Sequence, residues 1–168
     1  KFSFDHIPPG ADYTIVPQRN DDPRNGVSTL DLVYIQKHLL GKELFSSPYQ
    51  YIAADANNSQ SVSAVDLIEI RKLILGLQDQ LPASQSWRFV PKASEMAPGN
   101  PWPFNEQIQI SNLNQQNGAG LDFVGVKVGD VNHSAKANAA QVMPRNANQS
   151  INVMATGRGG FEAGEEVE

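Results

Sequence analysis

A fifteen-residue pattern occurs twice in this 168-residue chain, at a constant offset of 35. Residues 27–41 read VSTLDLVYIQKHLLG and residues 62–76 read VSAVDLIEIRKLILG; eight of the fifteen positions are identical. Each copy predicts a helix. The first spans about 28–40, with Leu30, Val33, Ile35, Leu39 and Leu40 as its apolar face. The second spans about 63–75, with Val65, Leu67, Ile68, Ile70, Leu73 and Ile74 apolar. Ser28 and Ser63 suit the N-cap, and Gly41 and Gly76 suit the left-handed residue after the last turn. Ser47 and Pro48 break the connection, and residues 49–54 enter the second copy as a short helix or an extended lead-in.

The residues in front of the second helix carry a chemistry. In residues 55–66, oxygen-bearing side chains fall at positions 1, 3, 5, 7, 9 and 12 of a twelve-residue stretch, with Val62 at position 8. That is the layout of an EF-hand-type calcium loop, in which alternate residues wrap a hard cation with oxygen and the last acid closes the shell. Asp55, Asn57, Ser59 and Asp66 are side-chain donors, Ser61 offers its backbone carbonyl, and Ser63 acts through water. Val62 is expected to pair with Val27 in a short bridge between the loops. Two charged ligands imply modest affinity, suited to the near-millimolar calcium outside cells. Gln60 stands where a Gly usually permits the sharp turn.

The first copy is poorer. Counting back from Asp31, the positions fall on Asn20, Asp22, Arg24, Gly26 and Ser28, and Arg24 cannot be a ligand. Either a shifted set binds, with Asp21 or Asp22, Asn25 and Asp31, or this loop no longer binds. A third fragment, Gly129-Asp130-Val131-Asn132, repeats the opening of such a loop, although His133-Ser134-Ala135 does not continue it. Asp130 and Asn132 folding back to complete the first site is a further expectation. One or two calcium ions are expected in total.

Composition narrows the classes. A net charge of −5, a pI near 5.1 and no basic cluster argue against nucleic acid. There is no apolar run long enough to span a membrane. With no cysteine, disulfides and thiolate sites are excluded. His6, His38 and His133 are isolated, and no nucleophile–base or carboxylate pair is evident, so an enzyme is not expected. Trp87 and Trp102 are expected as core or loop anchors.

The flanks alternate like strands. Phe2 and Phe4, then residues 13–16, predict a hairpin ending at Pro17; residues 1–19 are expected to close a β-sandwich lying upstream. Residues 86–90, 107–110 and 122–129 alternate again, and the segment 82–131 is expected to be a β appendage covering the helix pair around the duplicated core, 20–81. Residues 132–150 read as a linker, and 151–168 as the opening of a following sandwich. The chain is expected to be an excerpt of a longer protein.

The duplicated loop-plus-helix units resemble a type I dockerin over about 60 of the 168 residues. NGVSTLDLV, IAADANNS, DLIEIRKLIL, SWRFV and DFVGVKVGDVN, in this order, resemble a dockerin-like module of large Bacteroidetes surface proteins. The resemblance implies an α+β fold: a dockerin-like pair of calcium loop–helix repeats with a small β appendage, flanked by partial β-sandwich domains. It implies a secreted, cell-surface location by type IX secretion, within an adhesin-like or filament-forming protein. The partners implied are the neighbouring sandwich domains, a cohesin-like domain or the secretion machinery. Carried over from the family, cohesin contacts fall on Thr29, Leu30, Gln36 and Lys37, and on Ala64, Val65, Arg71 and Lys72. A structural module and a docking module differ in whether the surface of Gln36, Lys37, Arg71 and Lys72 is free.

Overall fold

The computed structural model describes residues 6–114, 117–137 and 151–155. The expectation for Phe2 and Phe4, residues 138–150 of the expected linker 132–150 and residues 156–168 of the expected sandwich opening 151–168 lie outside the described residues; residues 132–136, read as linker, are bonded to the first repeat instead. The fold is α+β. The described elements run β1 (Tyr13–Pro17), α1 (Thr29–Leu39), α2 (Pro48–Ala54), α3 (Ala64–Ile74), β2 (Trp87–Pro91), β3 (Ile108–Ile110), β4 (Phe123–Lys127) and β5 (Ile151–Ala155). No described helix is long and apolar enough to cross a membrane.

The two repeats fold alike. Ser28 and Ser63 are the N-caps, and in each helix the third residue is an aspartate that reaches back to the cap. Asp31 Oδ2 accepts from Ser28 N and Oγ at 2.8 and 2.9 Å; Asp66 Oδ2 accepts from Ser63 N and Oγ at 2.8 and 3.0 Å. This satisfies orphan donors of the first turn and places a carboxylate at the positive helix end. Gly41 and Gly76 follow the last turns with φ of 65° and 71°, as expected. Residues 49–54 take the helical option, capped by Ser47, started by Pro48 and closed by Gln50, whose Oε1 accepts from Ser46 N and Ser47 N.

Only part of each predicted apolar face is buried. Ile35, Ile52, Ile70 and Leu73 form the centre of the core with Ala53, Ala54, Val90, Val126, Val128 and Val131. Each Ile, Leu or Val among them contributes about 1.5–3 kcal/mol relative to exposure. On the opposite faces the repeat-equivalent pairs stay in solvent. Leu30 and Val65 are 49% and 50% exposed, Val33 and Ile68 46% and 49%, Leu40 and Leu75 61% and 64%. The helices are apolar on more than one side, so periodicity alone does not say which side faces in.

The strands pair across the chain rather than in sequence. β2 pairs antiparallel with β4, Phe89 opposite Gly125. β1 lies between β3 and β5, with Tyr13 opposite both Ile110 and Ala155. Strands expected in three separate segments thus share one sheet. Alternation reports that a strand has two faces, not which edge it joins. The β2–β4 pair lies against α2 and the core, and the outer faces of α1 and α3 stay in solvent. Arg88 anchors it: Nε and Nη2 donate to Glu106 at 2.9 and 3.1 Å, and Nη1 donates to Asn58 Oδ1 at 2.8 Å. Trp87 is buried, and Trp102 stands edge-on to Tyr51, which closes on Phe45 and His38. Both indoles are anchors.

Candidate metal centre

Residues 55–66 close into a cage of oxygens. Asp55 caps the end of α2 and Asp66 occupies the first turn of α3, and both carboxylates are fully buried. Asp55 Oδ1 accepts from Ser59 N at 2.8 Å and Oδ2 from Gln60 N at 2.9 Å. Asn57 Oδ1 accepts from the same Ser59 N at 3.1 Å, and Asp66 Oδ1 from Asn57 N at 3.2 Å. Ser59 Oγ donates to Ser61 O at 3.4 Å. The turn bends through Asn58 (φ 56°) and Gln60 (φ 61°). Gln60 therefore takes the left-handed conformation without a glycine, at a cost of about 1–2 kcal/mol.

A second cage has the same wiring, but two distant segments build it. Asp130 Oδ1 accepts from Ser134 N at 3.0 Å and Oδ2 from Ala135 N at 2.7 Å. Asn132 Oδ1 accepts from the same Ser134 N at 3.0 Å. Asp31 Oδ1 accepts from Val131 N and Asn132 N at 3.0 and 3.3 Å. Ser134 Oγ donates to Gly26 O at 3.0 Å. Asp130, Asn132 and Ser134 thus hold the places of Asp55, Asn57 and Ser59. Gly26, Ser28 and Asp31 hold those of Ser61, Ser63 and Asp66. His133 (φ 59°) even repeats the left-handed turn of Asn58.

The front of the first loop is used elsewhere. Asn20 Oδ1 accepts from Ser86 N at 2.8 Å, and Ser86 Oγ donates to Asp21 O. Asp22 is exposed, with φ 45°. Arg24 Nε donates to Leu73 O at 3.1 Å. Asn25 pairs with the Lys136 backbone, Nδ2 donating to its carbonyl at 2.8 Å and Oδ1 accepting from its N–H at 3.1 Å. Asn20, Asp22 and Asn25 are not in the cage, whereas Gly26, Ser28, Asp31, Asp130 and Asn132 are. Sequence reasoning missed Ser134. Its signal was present: Asp130-x-Asn132-x-Ser134 has the spacing of Asp55-x-Asn57-x-Ser59. Val27 and Val62 form no backbone bridge; both pack on the core instead.

Both cages are electrostatically unfinished in themselves. Burial pushes the Asp55 carboxyl above its usual range, and Asp66 adds to the push. Burial does the same to Asp31, with Asp130 adding. Taking such charges out of water costs on the order of several kcal/mol each unless something compensates. Backbone N–H donors supply part of that, and a bound cation would supply the rest. Lys127 is not that cation: its Nζ donates to Pro23 O and Val128 O, and burial lowers its pKa to about 8, against the pull of Asp130, Asp22 and Asp21. Among the described residues no three His, Cys, Asp or Glu side chains gather. Each cage combines two carboxylates with an amide, hydroxyls and a backbone carbonyl. Such all-oxygen sets suit a hard divalent ion with flexible coordination.

Most of the residues named for partner contact are open to solvent. Thr29, Leu30, Gln36, Ala64, Val65 and Arg71 are exposed. Lys37 and Lys72 are half-buried and paired with Glu43 and Glu69, each at 2.8 Å. In comparisons with known proteins, no family model, curated protein or solved structure matched the chain.

Proposed function

We propose that this chain is a non-enzymatic, calcium-binding structural module of the dockerin-like kind, part of a longer secreted or cell-surface protein of adhesin-like or filament-forming type. It binds two ions. One is held by Asp55, Asn57, Ser59, Ser61 and Asp66, the other by Asp31, Asp130, Asn132, Ser134 and the Gly26 carbonyl. The observation that carries this reading is the recurrence of one hydrogen-bonded cage, with a buried carboxylate pair, in two places. Calcium supplies the positive charge that the paired carboxylates need; the chain's own part is to hold the oxygens in place.

The test is calorimetric titration of the 168-residue chain with calcium after chelation, with a thermal melt alongside. Two binding events are expected. At about ten times Kd each ion adds about 1.4 kcal/mol, and two ions raise Tm by about 6–12 °C for a chain of this size. No heat and no shift would overturn the reading.

A docking role is the second reading, supported by the open surface of Leu30, Val33, Val65 and Ile68. A cohesin-like β-sandwich domain is the partner to test. Leu30→Asp with Val65→Asp should abolish its binding while leaving the calcium heats unchanged.

A further inference from the structure

We infer that residues 128–136 are a calcium-latched strap, closed over the core by the split site and free to lift when that ion leaves. The inference rests on the calcium reading above and adds how that site is regulated. The strap is held by two kinds of contact. Apolar Val128 and Val131 are fully buried in the core, and Gly129 N donates to Ala53 O at 2.7 Å. The other contacts are polar: buried Asp130 and half-buried Asn132 wrap Ser134, Ser134 reaches Gly26, and Lys136 pairs with Asn25. The fit there is close. A Cβ on Gly26 would fall 2.5 Å from Ala135 N.

The latch is placed where charge decides the balance. Asp31 belongs to α1 and Asp130 to the strap, and both are buried. With an ion between them the two segments attract; without it the same carboxylates repel across the seam. The contiguous cage has no such seam, because Asp55 and Asp66 are joined by ten intervening residues that cannot separate. Calcium withdrawal therefore loosens one cage internally and opens the other.

Limited trypsin digestion of the full chain, read by mass spectrometry, tests this. Lys136 is exposed but lies in the paired segment, and Lys127 is buried at the strap's root. Chelation should speed cleavage after these two lysines by about tenfold or more, and cleavage after Lys72 in α3 far less. Asn132→Ala with Ser134→Ala should give the same cleavage pattern in saturating calcium, with one calcium heat lost and the other retained. Asn57→Ala with Ser59→Ala should lose one heat and leave the strap protected. Two heats in the wild type with strap cleavage unmoved by chelation or by the first pair would overturn the strap and leave the calcium reading standing. No heat at all would overturn both.

Discussion

The two cages differ in how they are joined, not in how they are bonded. In one, α2 runs into the loop and the loop into α3, so the ligands are brought together by folding twelve residues. In the other, the same roles are shared between residues 26–31 and 130–134, about a hundred residues apart. An oxygen cage of this kind therefore needs the right donors at the right places, and not chain continuity. What continuity supplies is effective concentration.

The sharpest way to break the comparison is to cut the chain between exposed Pro82 and Ala83. The contiguous cage should keep its affinity within about twofold. The split cage then depends on two pieces meeting, and at micromolar protein its affinity should fall by about a hundredfold, since linked segments act at millimolar effective concentration. Calorimetry on nicked protein at two concentrations reads this directly; equal behaviour of the two heats would refute the difference in architecture.

A gentler probe is Gly26→Ala against Ser61→Ala. Gly26 has φ 74° and Ala135 packed against it, whereas Ser61 is exposed and not left-handed. The first change should cost about 1–2 kcal/mol from the backbone alone, and more from displacing the strap, with selective loss of one calcium heat. The second should stay within about 0.5 kcal/mol. Thermal melts in calcium rank the two.

The contrast shows what was legible in the chain. Helix limits, caps and the whole contiguous cage follow from spacing within a dozen residues, because each role is set by a neighbour three or four positions away. The second cage could be glimpsed in Asp130 and Asn132 but not assigned. Asn20 and Asp22 sit at the counted positions, and only the packing of Ser86 on that stretch shows that they are diverted. The outward turn of Leu30 and Val33 was hidden for the same reason: a helix apolar on several sides does not record which side meets the core. Nor does an alternating strand record its partner, which is why β1, β3 and β5 were read apart.

Protons should weaken both cages alike and so sharpen the comparison by default. Asp31 and Asp55 have folded-state values raised above 3.8. Their ionisation works against the metal-free fold, and that penalty is relieved as pH falls through the raised values toward 3.8. The chelated protein should therefore gain on the calcium-loaded one across this interval. The calcium-induced rise in Tm should shrink as pH falls through the raised values toward 3.8; a rise that grew with acidity would contradict the buried pairs.

The smallest effect lies away from both cages. His38 Nδ1 accepts from Phe45 N at 3.2 Å, its ring stacks on Phe45 at 4.1 Å, and burial lowers its pKa below 6.5. A lowered value means stability is complete above 6.5 and is lost as pH falls toward the folded value. His38→Gln should flatten that part of the melting profile without touching either calcium heat.

The arrangement of β1 and β5 has a mechanical consequence. They are antiparallel neighbours with Tyr13 opposite Ala155 and Pro17 opposite Ile151. Tension entering before residue 13 and leaving after 155 pulls on the same end of the pair, so its ladder bonds load one after another, like a zip, rather than all at once in shear. The three-stranded sheet would yield first and at low force. If the proposed ions are bound, the pull would then pass to the segments they tie together, and calcium in the surroundings would set how far the chain extends before it resists.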